Sequence, residues 1–182
     1  MKVLFIGGTG TISTAISALC IQQGLELYLL NRGNHPERMP AGAISLVADI
    51  NRTEEVESTL RGMRFDVVAD FIAFTPEQVE RDVRLFSGIT EQYLFISSAS
   101  AYQKPLRSPW ITESTPLHNP YWLYSRNKIA CEEVLTRAYR EQGFPITIIR
   151  PSHTYGDTGV PIALHGAMDK TLMELLNEVG SL

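Results

Sequence analysis

The stretch Lys2-Val3-Leu4-Phe5-Ile6-Gly7-Gly8-Thr9-Gly10-Thr11-Ile12-Ser13 decides the fold of this chain. Residues 2–6 are a short apolar run that reads as a strand, 7–13 as a turn, and 13–23 as a helix stopping near Gly24. A strand feeding a glycine turn and then a helix aims backbone N–H groups and the positive end of a helix dipole at one point, where a pyrophosphate can bind. Gly7 permits the tight turn and Gly10 lets the amides approach the phosphates, with Gly8, Thr9, Thr11 and Ile12 completing the cradle. Ser13 stands where a third glycine is commoner, and is still small enough for the helix to pack close to the strand. An ordinary glycine-rich turn would have the same composition, but its place after the first strand of an α/β pattern favours the dinucleotide reading.

The remaining chain repeats the alternation. Residues 25–30, 44–48, 65–71, 92–97 and 145–150 are short runs rich in valine, isoleucine, leucine and phenylalanine. Helical stretches lie between them at 53–61, 76–86 and 121–142. Glu54, Glu55 and Glu57 form a solvated helix start, not an acid/base cluster. Near-continuous apolar strands separated by helices predict an α/β fold, a doubly wound parallel sheet of Rossmann type covered on both faces.

Within that frame, Tyr124 and Lys128 lie four residues apart on the long helix, so one stands above the other on a single face. A free phenol titrates near ~10, and an adjacent ammonium is expected to lower that value and favour the phenolate. Ser98, which follows the strand at 92–97, can hydrogen-bond the substrate oxygen whose proton Tyr124 gives or takes. Alone the Tyr/Lys pair is weak evidence, since any helix can carry one on its surface. The order glycine turn, Ser97-Ser98, Tyr/Lys helix points to a nicotinamide-dependent site with Ser98, Tyr124 and Lys128 as its catalytic set.

The second strand runs into Asn31-Arg32-Gly33, where dinucleotide sites meet the adenosine ribose. An acidic residue there would grip a 2′-hydroxyl. Asn31 does not repel a phosphate and Arg32 can pair with one, so NADP(H) is favoured, with NAD(H) the alternative cofactor. A solvated arginine in a polar loop is the plainer account of the same residues.

Gly-Gly-Thr-Gly at 7–10, Val47-Ala48-Asp49-Ile50, Phe95-Ile96-Ser97-Ser98-Ala99-Ser100-Ala101-Tyr102, the Tyr124/Lys128 pair and Arg150-Pro151-Ser152-His153-Thr154-Tyr155-Gly156 together resemble the extended short-chain dehydrogenase/reductases. Within these the chain is most similar to the NAD-dependent epimerase/dehydratase type. The resemblance implies that Asp49 and Ile50 flank the adenine, that Phe71, Ile72 and Ala73 pass under the cofactor, and that Lys128 also contacts the nicotinamide ribose. It further implies that Pro151 borders the nicotinamide, that Ser98 and Tyr124 touch substrate, and that His153 faces a substrate diphosphate. Asp49 is otherwise a capping or turn residue, and His153 otherwise a hydrogen-bonded loop histidine. Related dehydratases carry an Asp-Glu pair after the catalytic hydroxyl, and related decarboxylases a glutamate at the position of Ser100. Ala99-Ser100 stands here instead, which disfavours both reactions and leaves epimerisation through a transient ketone, or simple carbonyl reduction, on a nucleotide sugar or similar small molecule. By the same resemblance, residues 76–86 and 121–142 would pair across a two-fold axis, making a homodimer.

At 182 residues the chain can bury one good core, assigned to a dinucleotide-binding domain at 1–156. Residues 157–182 are expected to begin a substrate lobe, largely absent, or to form a capping amphipathic helix at 167–182; a non-catalytic dinucleotide-binding or sensor module is the alternative function. A net charge of −4 with no basic stripe argues against nucleic acid, and no apolar run approaches the ~20 residues of a membrane span. Cys20 and Cys131 read as buried free thiols of a cytoplasmic protein. His35, His118 and His165 lack neighbours at metal-ligand spacing, so no metal site is expected. Tyr102 and Tyr155 are expected to line the site, Trp110 and Trp122 to serve as lid or packing, and 108–120 to be a loop leading into the catalytic helix.

Overall fold

The structure, a computed structural model, describes residues 1–34 and 39–154. Tyr155, His35, His165 and the amphipathic segment 167–182 lie outside the described residues. Met1–Ser152 forms one compact unit. Its strands are β1 (Lys2–Ile6), β2 (Glu26–Asn31), β3 (Ile44–Val47), β4 (Phe65–Asp70), β5 (Thr90–Ile96) and β6 (Ile146–Ile149), and its helices α1 (Thr11–Gln22), α2 (Thr53–Thr59), α3 (Pro76–Phe86) and α4 (Leu123–Gln142). All six strands are parallel in the order β3-β2-β1-β4-β5-β6. The chain therefore winds outward from β1 through β2 to β3, then crosses back so that β4 lies on the other flank of β1. Ligands of such sheets bind beyond the carboxyl ends of the strands at this reversal.

Period-two alternation splits β1 between two cores. Leu4 and Ile6 enter a large cluster with Tyr28, Leu30, Val68, Tyr93 and Phe95, which Val56 of α2, Val79 and Phe86 of α3, and Cys131 and Leu135 of α4 complete. Val3 and Phe5 point to the opposite face, where they meet Leu27, Leu29, Ala69 and Cys20 of α1. Both cysteines are buried free thiols.

Element boundaries follow local chemistry. The first helix begins at Thr11, two residues before the sequence expectation, because Gly10 takes the capping conformation and its N–H donates to Ser13 Oγ at 2.8 Å. In α3 Thr75 and Gln78 form a capping box ahead of Pro76. Gly143, at φ +69°, ends α4 in the left-handed conformation. No described helix is long and apolar enough to cross a membrane.

Candidate active site

Strand ends on one edge of the sheet build the site. After β1, Gly7 has φ +80°, and a Cβ there would collide with Ile72 Cγ2; at Gly8 it would come within 2.6 Å of Leu29 Cδ2. These two glycines are required by conformation and by packing. Ser13, in the third small position, donates its hydroxyl to the carbonyl of Gly7 at 3.0 Å, tying the turn to α1. The departure from glycine is thus a strut across the turn. Gly10 is exposed and Ile12 half-buried at the N-terminus of α1, the helix end whose partial positive charge favours an anion. Gly7→Ala is expected to destabilise the chain by about 2 kcal/mol, a fall in Tm of roughly 4–8 °C by thermal unfolding, with loss of dinucleotide binding.

At the end of β4, Phe71 packs edge-on against Phe5, with ring centroids 5.1 Å apart. Ile72 is 38% exposed above Gly7, and Ala73 is buried. Asn31, at the end of β2, uses Oδ1 to accept the Gly33 N–H at 2.8 Å, while Arg32 is exposed. Asp49 Oδ1 accepts from the N–H and Nδ2 of Asn51 at 3.0 and 3.1 Å, which is the turn role that the sequence left open. Ile50 is buried in the large core, so packing holds its side chain.

Lys128 is buried and bridges two strand ends. Its Nζ donates to the carbonyls of Ala73 and Ile96, both at 2.7 Å, and stands 4.6 Å from the ring centroids of Phe74 and Phe95. Burial pushes its pKa down to about 8. Tyr124 lies half-buried between Trp122 and Phe74, with centroid separations of 4.8 and 6.3 Å, and its ring centroid is 5.7 Å from Lys128 Nζ. The predicted lowering of the phenol by the lysine is not observed. Burial raises the Tyr124 pKa, with the Ser98 hydroxyl pulling the other way, because the ammonium is directed at two backbone carbonyls and not at the phenol oxygen. Ser98, Tyr124 and Lys128 do come together, and Trp122 packs on Tyr124. Pro151 follows the end of β6 half-buried, while His153 is exposed and lies outside the compact unit.

Two supports went unread in the sequence. Ser97 donates its hydroxyl to buried Glu132, which also receives Arg150 in a fork, Nε to Oε1 at 2.9 Å and Nη2 to Oε2 at 2.6 Å. Glu132 follows Tyr124 and Lys128 at four-residue spacing, a signal of shared helix face that was available. Tyr102, expected to line the site, is instead buried and accepts from Arg150 Nη1 at 3.2 Å. On the other side, Ser125 donates to Ser100 Oγ at 2.9 Å and Asn119 Nδ2 to the Ser100 carbonyl at 2.8 Å, so the 3-10 turn Ala99–Ala101 after Ser98 is pinned to the start of α4. Ser100 is thereby a structural hydroxyl. The segment before α4 is irregular, with Trp110 82% exposed.

A parallel sheet whose winding reverses between β1 and β4, a glycine turn on β1 and a Ser-Tyr-Lys cluster beyond β4 and β5 define a Rossmann-type dinucleotide fold. The chain matches the NAD dependent epimerase/dehydratase family over residues 3–179 and belongs to it. It is 30% identical over 169 residues to a UDP-glucose 4-epimerase of Lactobacillus helveticus, covering 82% of this chain and 51% of that protein. It is 28% identical over 168 residues to the chloroplast stem-loop binding protein of 41 kDa b of Arabidopsis thaliana, covering 85% and 42%. The chain thus spans about half the length of these relatives. Among solved structures, the UDP-glucose 4-epimerase of Thermus thermophilus in complex with NAD superposes with a TM-score of 0.73 at 23% identity, covering 89% of this chain and 58% of that one. The dTDP-glucose 4,6-dehydratase of Bacillus anthracis in complex with NAD gives 0.79 at 17%, covering 98% and 62%. At these identities the structures speak for the fold alone.

Proposed function

We propose that the chain carries the dinucleotide and acid/base half of an NAD(P)-dependent epimerase or reductase acting on a nucleotide sugar. The observation that supports this most is the convergence of Ser98, Tyr124 and Lys128 at the strand ends next to the Gly7–Gly10 turn. The bound dinucleotide would supply or accept the hydride. Gly7 to Ile12 would hold its pyrophosphate, with Phe71, Ile72 and Ala73 beneath it and Asp49 and Ile50 near the adenine. As the phenol, the form that burial favours, Tyr124 would give a proton to a carbonyl oxygen, and as the phenolate it would take one from an alcohol, while Ser98 would hold that oxygen in place. Lys128 spends two of its three donors on the carbonyls of Ala73 and Ile96, leaving the third for a ribose hydroxyl. For epimerisation Tyr124 would take the hydroxyl proton as the substrate becomes a ketone and would return it after the ketone turns over, with Ser98 holding the same oxygen throughout. His153 would meet the substrate diphosphate and Pro151 the nicotinamide. A homodimer through α3 and α4 belongs to the same proposal.

The missing acidic group at Asn31 and the exposed Arg32 support NADP(H), whereas the structural neighbours named above carry NAD. Calorimetric titration with NADP⁺ and NAD⁺ in parallel tests both the dinucleotide site and its preference. Saturable binding is expected, and Arg32→Ala should weaken NADP⁺ about tenfold more than NAD⁺, the loss of one charge-assisted contact. Equal losses, or tighter NAD⁺ binding by the unaltered chain, would replace NADP(H) with NAD(H). No binding of either would remove the proposal. A second reading is a dinucleotide-binding module without turnover, in keeping with one relative being named as a binding protein. It predicts cofactor binding with no turnover either before or after Tyr124→Phe.

A further inference from the structure

Asp70 is the last residue of β4 and is buried to 1% exposure. Its Oδ1 accepts the N–H groups of Ile72 and Ala73 at 2.6 and 2.8 Å, which folds the turn at 71–73 back over the strand end. Its Oδ2 is sealed from solvent and receives no donor among the described residues. Arg81 Nη2 stands 3.7 Å from it, beyond hydrogen-bond distance, and the same Nη2 lies 2.7 Å from Asp82 Oδ1, so the two carboxylates flank one guanidinium nitrogen.

The surroundings of Asp82 are the opposite. Arg81 Nε and Nη2 donate to Oδ1 at 2.9 and 2.7 Å, and Tyr93 Oη donates to Oδ2 at 2.6 Å. The remaining direction of Arg81 is satisfied by Asn51 Oδ1 at 2.8 Å. Two carboxylates are thus buried beside one guanidinium. Were both ionised, they would repel each other with Asp70 Oδ2 unsolvated, a strongly unfavourable state. The donors assign the charge to Asp82 and leave Asp70 Oδ2 as the atom needing a proton. The next cation, Lys128, rests on the carbonyls of Ala73 and Ile96.

We propose that Asp70 is a neutral carboxylic acid whose proton is donated to the carboxylate of Asp82, and that this pair is a positioning device. Through Oδ1 it fixes the turn at 71–73, and through the Ala73 carbonyl it fixes the ammonium of Lys128. The proposal rests on Lys128 as the site's ammonium only for its catalytic consequence; the shared proton stands independently of it. The groups facing Asp70 are Arg81 and Asp82 from α3, Tyr93 from β5 and Lys128 from α4, and together burial and Asp82 hold its pKa well above the ordinary carboxylate range. A carboxyl raised in this way favours the folded state at low pH, and that contribution is lost as pH rises through its folded value.

Asparagine reproduces a protonated aspartic acid, since its oxygen can accept from Ile72 and Ala73 and its amide can donate to Asp82. Asp70→Asn should therefore keep the Tm within about 2 °C at neutral pH and flatten its decline with rising pH, whereas Asp82→Asn should lower it by roughly 10 °C by stranding Arg81. Infrared spectroscopy of the unaltered chain should show the carbonyl stretch of a buried protonated carboxyl at neutral pH, missing in Asp70→Asn. Positioning has its own readout, the NMR titration of the Lys128 side chain. It should stay near the value of about 8 in Asp70→Asn and move up toward that of a free lysine in Asp70→Ala, where the turn is released. Absence of the infrared band, or equal destabilisation by the two asparagine variants, would overturn the shared proton. An unmoved Lys128 titration in Asp70→Ala would overturn the positioning role. None of these measurements requires dinucleotide or turnover, so a failure here and a failure of the proposed function are separable.

Discussion

Tyr124→Phe should lower turnover of a nucleotide-sugar substrate by roughly 10²–10⁴-fold while leaving dinucleotide affinity and Tm nearly unchanged. The change removes one oxygen and keeps the ring, so the packing against Trp122 and Phe74 survives. It deletes the group whose protonation the neighbouring Ser98 hydroxyl acts on. Steady-state kinetics with the matched cofactor, together with calorimetry of cofactor binding, separates the two effects. A loss in kcat at unchanged cofactor affinity is the signature of proton transfer. Turnover that survives the substitution would remove Tyr124 from the chemistry. A chain that binds dinucleotide and shows no turnover before or after it would be the binding module.

The second large effect is on stability. Glu132→Ala should cost about 3 kcal/mol, near the lower end for breaking a buried pair because Arg150 keeps some solvent contact, and should lower the Tm by roughly 6–12 °C. Glu132 is 4% exposed at its side chain and Arg150 19%. Removing the carboxylate strands the guanidinium and leaves the Ser97 hydroxyl without its acceptor, next to Ser98. The double variant Glu132→Met with Arg150→Leu should recover most of the loss, since replacing both members by apolar side chains of similar size avoids the uncompensated charge. Thermal unfolding of the two singles and the double decides it. A single variant as stable as the unaltered chain would mean that the fork contributes no net stability.

Much of the fold was legible because it depends on local pattern. Lys2–Ile6 followed by the glycine turn, and apolar runs alternating with helical stretches, require a parallel sheet whatever the side chains later contact. The Pro76–Phe86 helix was predicted to the residue because Thr75, Pro76 and Gln78 carry a cap that is complete within the segment. Ends shifted where a single remote or capping contact decides them. Thr90 and Glu91, which are not apolar, join β5 because Phe65 on β4 pairs with Thr90.

The candidate site divides in the same way. The sequence by itself determined that a glycine turn, a serine and a Tyr/Lys pair occur in the order of a dinucleotide enzyme, since each lies within a few residues of the strand or helix that presents it. Only the tertiary structure decided their electrical state. Tyr124 and Lys128 share a helix face, yet the lysine is held by carbonyls from β4 and β5, and burial, a property of the whole packed unit, sets both pKa values. The buried pairs Asp70 with Asp82 and Glu132 with Arg150 bring together residues from different elements. Spacing can place Glu132 on the face of Tyr124 and Lys128 but does not name its partner, because the energies of such contacts come from desolvation and from groups that the packed sheet supplies.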